Sequence, residues 1–239
     1  MKSVLVALLM TAGVFAAQAQ VTGNLGLATD YRYRGISQTQ NAPAIQGGVD
    51  YSHSSGFYAG NWNSSVSSSV YTNGAGIESD LYAGYKREVI KGLTLDVGSL
   101  NYFYPRATNG TSDDFNTKEI YAGLSYGIAS AKYSRSISNY FGTANSKGSE
   151  YIQADVAYPV KGTKFTAVAH AGHTNVANSS TLDYTDYNVG ASYDLGQGWA
   201  TSAKYHNNTG LTGTAKTANT VNGQQLYKNA VVLGVTRSF

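Results

Sequence analysis

Along most of the chain, apolar and polar residues take turns one by one. In 77–87, Ile77, Leu81, Ala83 and Tyr85 alternate with Glu78, Asp80, Tyr82, Gly84 and Lys86. In 150–160, Ile152, Ala154, Val156, Tyr158 and Val160 alternate with Tyr151, Gln153 and Asp155. In 184–195, Tyr187, Val189, Ala191, Tyr193 and Leu195 alternate with Asp186, Asn188, Gly190, Ser192 and Asp194. A period of two sends successive side chains to opposite faces of a strand, and no helical period competes with it. With Gly, Ser, Asn and Pro as breakers, the pattern predicts twelve strands, at 23–35, 43–53, 57–66, 77–87, 93–104, 117–126, 128–139, 150–160, 164–173, 184–195, 199–207 and 225–239.

The connections alternate in length. "ISQTQNA", "SSSVYTNGAG", "PRATNGTSDDFN", "YFGTANSKGS", "TNVANSSTLD" and "NTGLTGTAKTANTVNG" are long and polar, whereas "SSG", "EVIKG", Gly127, "KGT" and "GQG" are short. A soluble β-sandwich has no reason to alternate in this way. Outer-membrane barrels do, with short periplasmic turns and longer outer loops. An even strand number returns both ends of the barrel to the periplasm. The expected fold is therefore all-β, a transmembrane antiparallel β-barrel of about twelve strands. The expected outer loops are 36–42, 67–76, 105–116, 140–149, 174–183 and 208–224.

The barrel fixes which face is wet. A charge facing lipid at mid-membrane costs about 2–4 kcal/mol, so the charged face must be the lumen. In "ATDYRYRGISQTQ" this places Asp30, Arg32 and Arg34 inside and turns Tyr31 and Tyr33 toward lipid near the outer interface.

Composition agrees with the pattern. Charged residues are only 13%, Gly and Tyr reach 27 and 20, Pro only 3, and Cys is absent. Lys2 followed by an apolar run from Val4 to Ala17 and the small residues of Ala17-Gln18-Ala19 reads as a signal peptide, residues 1–19, with the barrel domain spanning 20–239. With no cysteine after the apolar run, neither a lipid anchor nor disulfides are expected. A net charge of +3 without a basic cluster argues against nucleic acid. The last strand, "VVLGVTRSF", ends on an aromatic residue, with Val231, Leu233 and Val235 on its face. It resembles the assembly signal of outer-membrane proteins. Phe239 is its key residue, and Arg237 departs from the pattern at a position where it can snorkel to headgroups.

The run "TDYRYRGISQTQNAPAIQGGVDYSHSSGFYAGNW", with "ESDLYAGY" at 78–85 and "GLTLDVGSLNYFYP" at 92–105, resembles the TorF-type porin family of proteobacteria. The motifs cover roughly the first 105 residues. The resemblance implies an outer-membrane channel and carries no known permeant.

Twelve strands spaced about 4.8 Å and tilted about 40° give a backbone radius of roughly 12 Å, hence a bore of about 6 Å in radius after side chains are counted. That suits ions or small solutes, which are the expected permeants. The other expected partners are outer-membrane lipid and lipopolysaccharide, and the barrel-assembly machinery during biogenesis. Asp30, Arg32, Arg34, Glu78, Asp80 and Glu119 are expected to line the narrowest part, the arginines facing Glu78, Asp80 and Glu119 across the lumen. The alternative is that these charges pair directly and form a plug in a non-conducting structural or adhesive barrel.

A hydrolase at the outer rim is the third reading. His53 falls at a periplasmic turn, whereas His170, His173 and His206 fall near outer strand ends without a nucleophile motif beside them. His170 and His173 are three apart on a strand and face opposite ways, so they make no metal pair. Asp113 and Asp114 read as a solvated loop. No cofactor or metal is expected.

Overall fold

The computed structural model describes residues 19–109 and 114–239. The expected signal peptide and Asp113 therefore fall largely or wholly outside the described residues. Twelve antiparallel strands form one closed barrel. They are β1 (Gln20–Ala28), β2 (Ala44–Ser52), β3 (Phe57–Ser65), β4 (Ile77–Ile90), β5 (Leu93–Phe103), β6 (Thr117–Tyr126), β7 (Ala129–Ser136), β8 (Glu150–Pro159), β9 (Phe165–Asn175), β10 (Tyr184–Gly196), β11 (Trp199–Thr209) and β12 (Ala230–Ser238). Each strand pairs with its neighbours in sequence, and β1 closes the ring on β12, with Leu27 opposite Val235. Closure leaves no strand edge to satisfy in lipid.

The alternation is realised as expected. Leu25, Ile45, Val49, Leu81, Ile120, Leu124, Ile152, Val189 and Leu233 are exposed on the outer wall, where apolar side chains meet hydrocarbon rather than a core. Their neighbours in sequence turn into the lumen. The short turns and both barrel termini share one end, and the six long connections crowd the other.

Tyr and Gly are abundant for a structural reason. Inward tyrosines lie flat across the wall of a neighbouring strand. A side chain on Gly84 would strike the Tyr58 ring, and one on Gly172 would strike Tyr151. Glycine there lets a ring approach the backbone, so tyrosine fills the lumen without widening the barrel.

Two boundaries differ most from the sequence reading. The first strand stops at Ala28 rather than running to 35. The last begins at Ala230, because Gln224–Gln225 pairs instead with Thr220–Val221 in a small loop hairpin beside a one-turn helix at Gly213–Ala218. The first difference moves several predicted side chains.

Candidate functional site

After Ala28 the chain leaves the wall and folds into the lumen. Arg32–Tyr33 pairs with Ile36–Ser37 as a two-residue hairpin. Its turn residues, Arg34 (φ 45°) and Gly35 (φ 77°), both adopt the left-handed conformation that such a tight reversal needs. A hairpin surrounded by barrel wall has no lipid face. Tyr31 and Tyr33 therefore do not face lipid, as parity along a wall strand would require. The Tyr31 hydroxyl donates to Glu78 at 2.8 Å, and the Tyr33 hydroxyl donates to Tyr102 at 2.8 Å.

The segment spans the lumen from β1 to the opposite wall. Arg34 reaches β6, where one guanidinium nitrogen donates to both Glu119 oxygens at 2.9 Å. Another donates to the Tyr140 hydroxyl at 2.9 Å. The guanidinium lies 4.0 Å from the centre of the Tyr151 ring and 4.8 Å from that of Tyr33. Cation–π contact and charge pairing act together, and both partners of the ion pair are buried.

Arg32 behaves differently from its neighbour. It pairs with Asp30 at 2.7 Å and donates to the carbonyls of Gly35 and Lys228, so it braces the hairpin and the last outer loop. Asp30 also accepts from Ser37 and Thr39. Glu78 and Asp80 turn inward on β4 as expected, yet neither faces an arginine. Glu78 is fully buried and accepts the hydroxyls of Tyr31 and Tyr104, each at 2.8 Å. Asp80 Oδ1 is buried with no hydrogen-bond partner among the described residues.

Aromatic rings complete the stopper. Tyr102, Tyr104, Tyr71 and Val66 form a buried cluster with Tyr31, Tyr33, Phe115 and Phe141 against it. Tyr71 and Tyr104 stack with centres 4.0 Å apart, and Tyr71 also bonds Gln38. Burial pushes the phenols of Tyr71 and Tyr140, both in outer loops, above their ordinary range, so each keeps its proton. These rings escape a sequence reading that assigns faces by parity, because the loops that carry them fold inward.

Below the stopper the lumen is polar. Tyr58 donates to Asp96 at 2.6 Å and pairs with Tyr121, and Tyr82 bonds Asp50. Lys86, Lys132 and Lys204 point into the same space, with Lys132 5.4 Å from the Tyr121 ring centre. His170 touches a carboxylate through each ring nitrogen, Asp155 at 2.7 Å and Asp186 at 3.0 Å. His173 lies on the outer face beside Thr185, and His53 sits in a short turn. Among the described residues no His, Asp and Glu cluster suits a metal ion.

An apolar outer belt around a charged lumen, closed by twelve strands with long loops at one end, is the architecture of bacterial outer-membrane porins. The NanC porin superposes with a TM-score of 0.57 at 12% identity, over 91% of this chain and 99% of that one. The KdgM porin in complex with disordered oligogalacturonate does so with a TM-score of 0.56 at 11% identity, over 92% and 98%. No functionally curated protein matches the sequence. Residues 14–239 match the family described as "Bacterial protein of unknown function (Gcw_chp)", and the chain belongs to that family.

Proposed function

We propose that this protein is a narrow outer-membrane channel for passive diffusion of ions or small solutes, guarded at its outer end by the inward-folded segment 29–43. The observation that carries the reading is the two-part lumen. Asp50, Asp96, Asp155, Lys86, Lys132 and Lys204 turn into the lumen on its short-turn side. One hairpin, held by Arg34 and Glu119, occupies the outer half. Charged side chains along the lumen suit a water-filled path.

Asp30, Arg32, Arg34, Glu78, Asp80 and Glu119 line this constriction in our reading, with Arg34 and Glu119 as its latch. The motifs in the first 105 residues support placing the chain with the TorF-type porins. Lipopolysaccharide and the barrel-assembly machinery are the partners such a protein needs. Lysines and aspartates of both signs along the lumen suit small permeants of either sign rather than one charged class. Oligogalacturonate, the ligand in the KdgM complex, belongs in the panel tested as an example of an anionic saccharide.

The filled outer half also favours a second reading, a structural barrel that does not conduct. Planar-bilayer recordings on refolded protein separate the two. Discrete conductance steps are expected, followed by uptake of small metabolites in cells that express the protein. Silence from the wild type and from an Arg34→Gln variant would overturn the channel reading in favour of the structural one.

A further inference from the structure

Three adjacent strands carry a cluster of uncharged polar residues on the outer wall at mid-height, apart from the outward Arg135–Glu150 ion pair on β7 and β8. On β3, Trp62 and Ser64 face the lumen, so Asn61, Asn63 and Ser65 face out. On β4 the outward row includes Ser79, and on β5 it includes Ser99 and Asn101. Pairing brings them together. Asn63 is opposite Ser79, while Asn61 and Asn101 flank Leu81 from the two sides. Ser99 is opposite Ala83, which is opposite Ala59.

The patch lies within the depth of the hydrocarbon. Phe57 and Tyr85, with ring centres 5.1 Å apart, mark the aromatic girdle at the short-turn end. Asn61 and Asn63 follow Phe57 by four and six residues. At about 3.4 Å per residue and a tilt of about 40°, they stand roughly 10 and 16 Å above the girdle, inside a band about 25 Å tall.

Local bonds absorb only part of this polarity. Asn61 donates to Ser79 at 3.2 Å and to the Asp80 carbonyl at 3.0 Å, and it accepts from Asn63. Asn101 donates to the Leu81 carbonyl at 3.3 Å. Among the described residues, the carboxamide oxygens of Asn63 and Asn101 accept nothing. Hydrocarbon chains offer them no donor, and a buried unpaired amide is costly.

We infer that the outer face of β3–β5 is a contact between two copies of this chain. A carboxamide carries both a donor and an acceptor, so a patch of asparagines complements itself under a twofold rotation. An axis along the membrane normal pairs the patches while keeping the long loops of both copies on the same side. The small residues Ala59 and Ala83 let the walls approach closely enough for these bonds.

The natural chain has no cysteine, so single cysteines report on this face cleanly. In intact outer membranes, a short bis-maleimide is expected to convert Asn61→Cys and Ser79→Cys to twice the monomer mass. Val189→Cys, on the opposite wall, should stay monomeric. Absence of the double-mass product, its equal appearance with Val189→Cys, or a product of another mass would overturn the proposal. The triple variant Asn61→Leu/Asn63→Leu/Asn101→Leu makes this face more apolar and remains suited to lipid. It should lower the association constant on the order of tenfold or more, since polar bonds within a membrane contribute about threefold each. A triple variant that stays as dimeric as the wild type would also overturn it.

Discussion

In the proposed channel the closed arrangement would depend most on Arg34, and replacing it with Gln tests that directly. Its guanidinium makes two bonds to Glu119 and one to Tyr140, all at 2.9 Å, and packs between the rings of Tyr151 and Tyr33. Both members of the ion pair are at most 5% exposed. Glutamine cannot supply the forked donor, and it leaves the Glu119 carboxylate buried beside Tyr102 without a countercharge. Breaking a buried pair from one side costs about 3–5 kcal/mol. If the hairpin can swing into water, most of this cost falls on the closed state. The ratio of open to closed channels should then rise by about two to four decades. Lost positive charge beside Glu119 should also turn the channel toward cations, an effect that weakens as salt screens it. The assay is single-channel conductance and reversal potential in a salt gradient, with heat-dependent gel migration to establish that the barrel has folded. The double variant Arg34→Gln/Glu119→Gln leaves no buried unpaired charge and should return most of the way to wild-type behaviour. A folded Arg34→Gln barrel with unchanged conductance and reversal potential would refute the latch, as would a double variant as open as the single one.

Two further outcomes follow from the same geometry. Gly35→Val places a branched side chain at φ 77°, where even a Cβ would meet Asn208 and Asp186. It should therefore loosen the inner hairpin and raise conductance without preventing barrel assembly, as checked by bilayer recording and gel migration. Deleting Phe239 removes the reciprocal backbone bonds with Gly23, 2.8 and 3.0 Å long, that zip the chain end onto β1. Outer-membrane insertion should fall while export to the periplasm continues, as cell fractionation would show, and normal insertion of the truncated chain would remove Phe239 from the assembly signal.

The parts of this protein that contact a uniform environment were legible in the sequence. A barrel wall separates lipid from water along its whole height, so alternation alone identifies the strands and sorts their faces. Ile152, Val189 and Leu233 lie outward, and Glu78, Asp80 and Glu119 inward, because no neighbour elsewhere in the chain can reverse that choice. Alternating loop lengths then fix the antiparallel order and the closure. The segment 29–43 escaped this logic. Its Tyr-Arg alternation has the strand period, but the turn at Arg34–Gly35 reverses it inside the lumen, where both faces meet protein. Whether Tyr31 met lipid or Glu78, and whether Arg32 or Arg34 reached Glu119, was decided by which walls lay within reach after closure. Local pattern contains no such information. The polar rows of β3–β5 show the same division: their alternation predicts strands, but only pairing gathers Asn61, Asn63, Ser79 and Asn101 into one patch. Periodicity determined what each residue's strand would do, and the closed ring determined which distant residues would share a space.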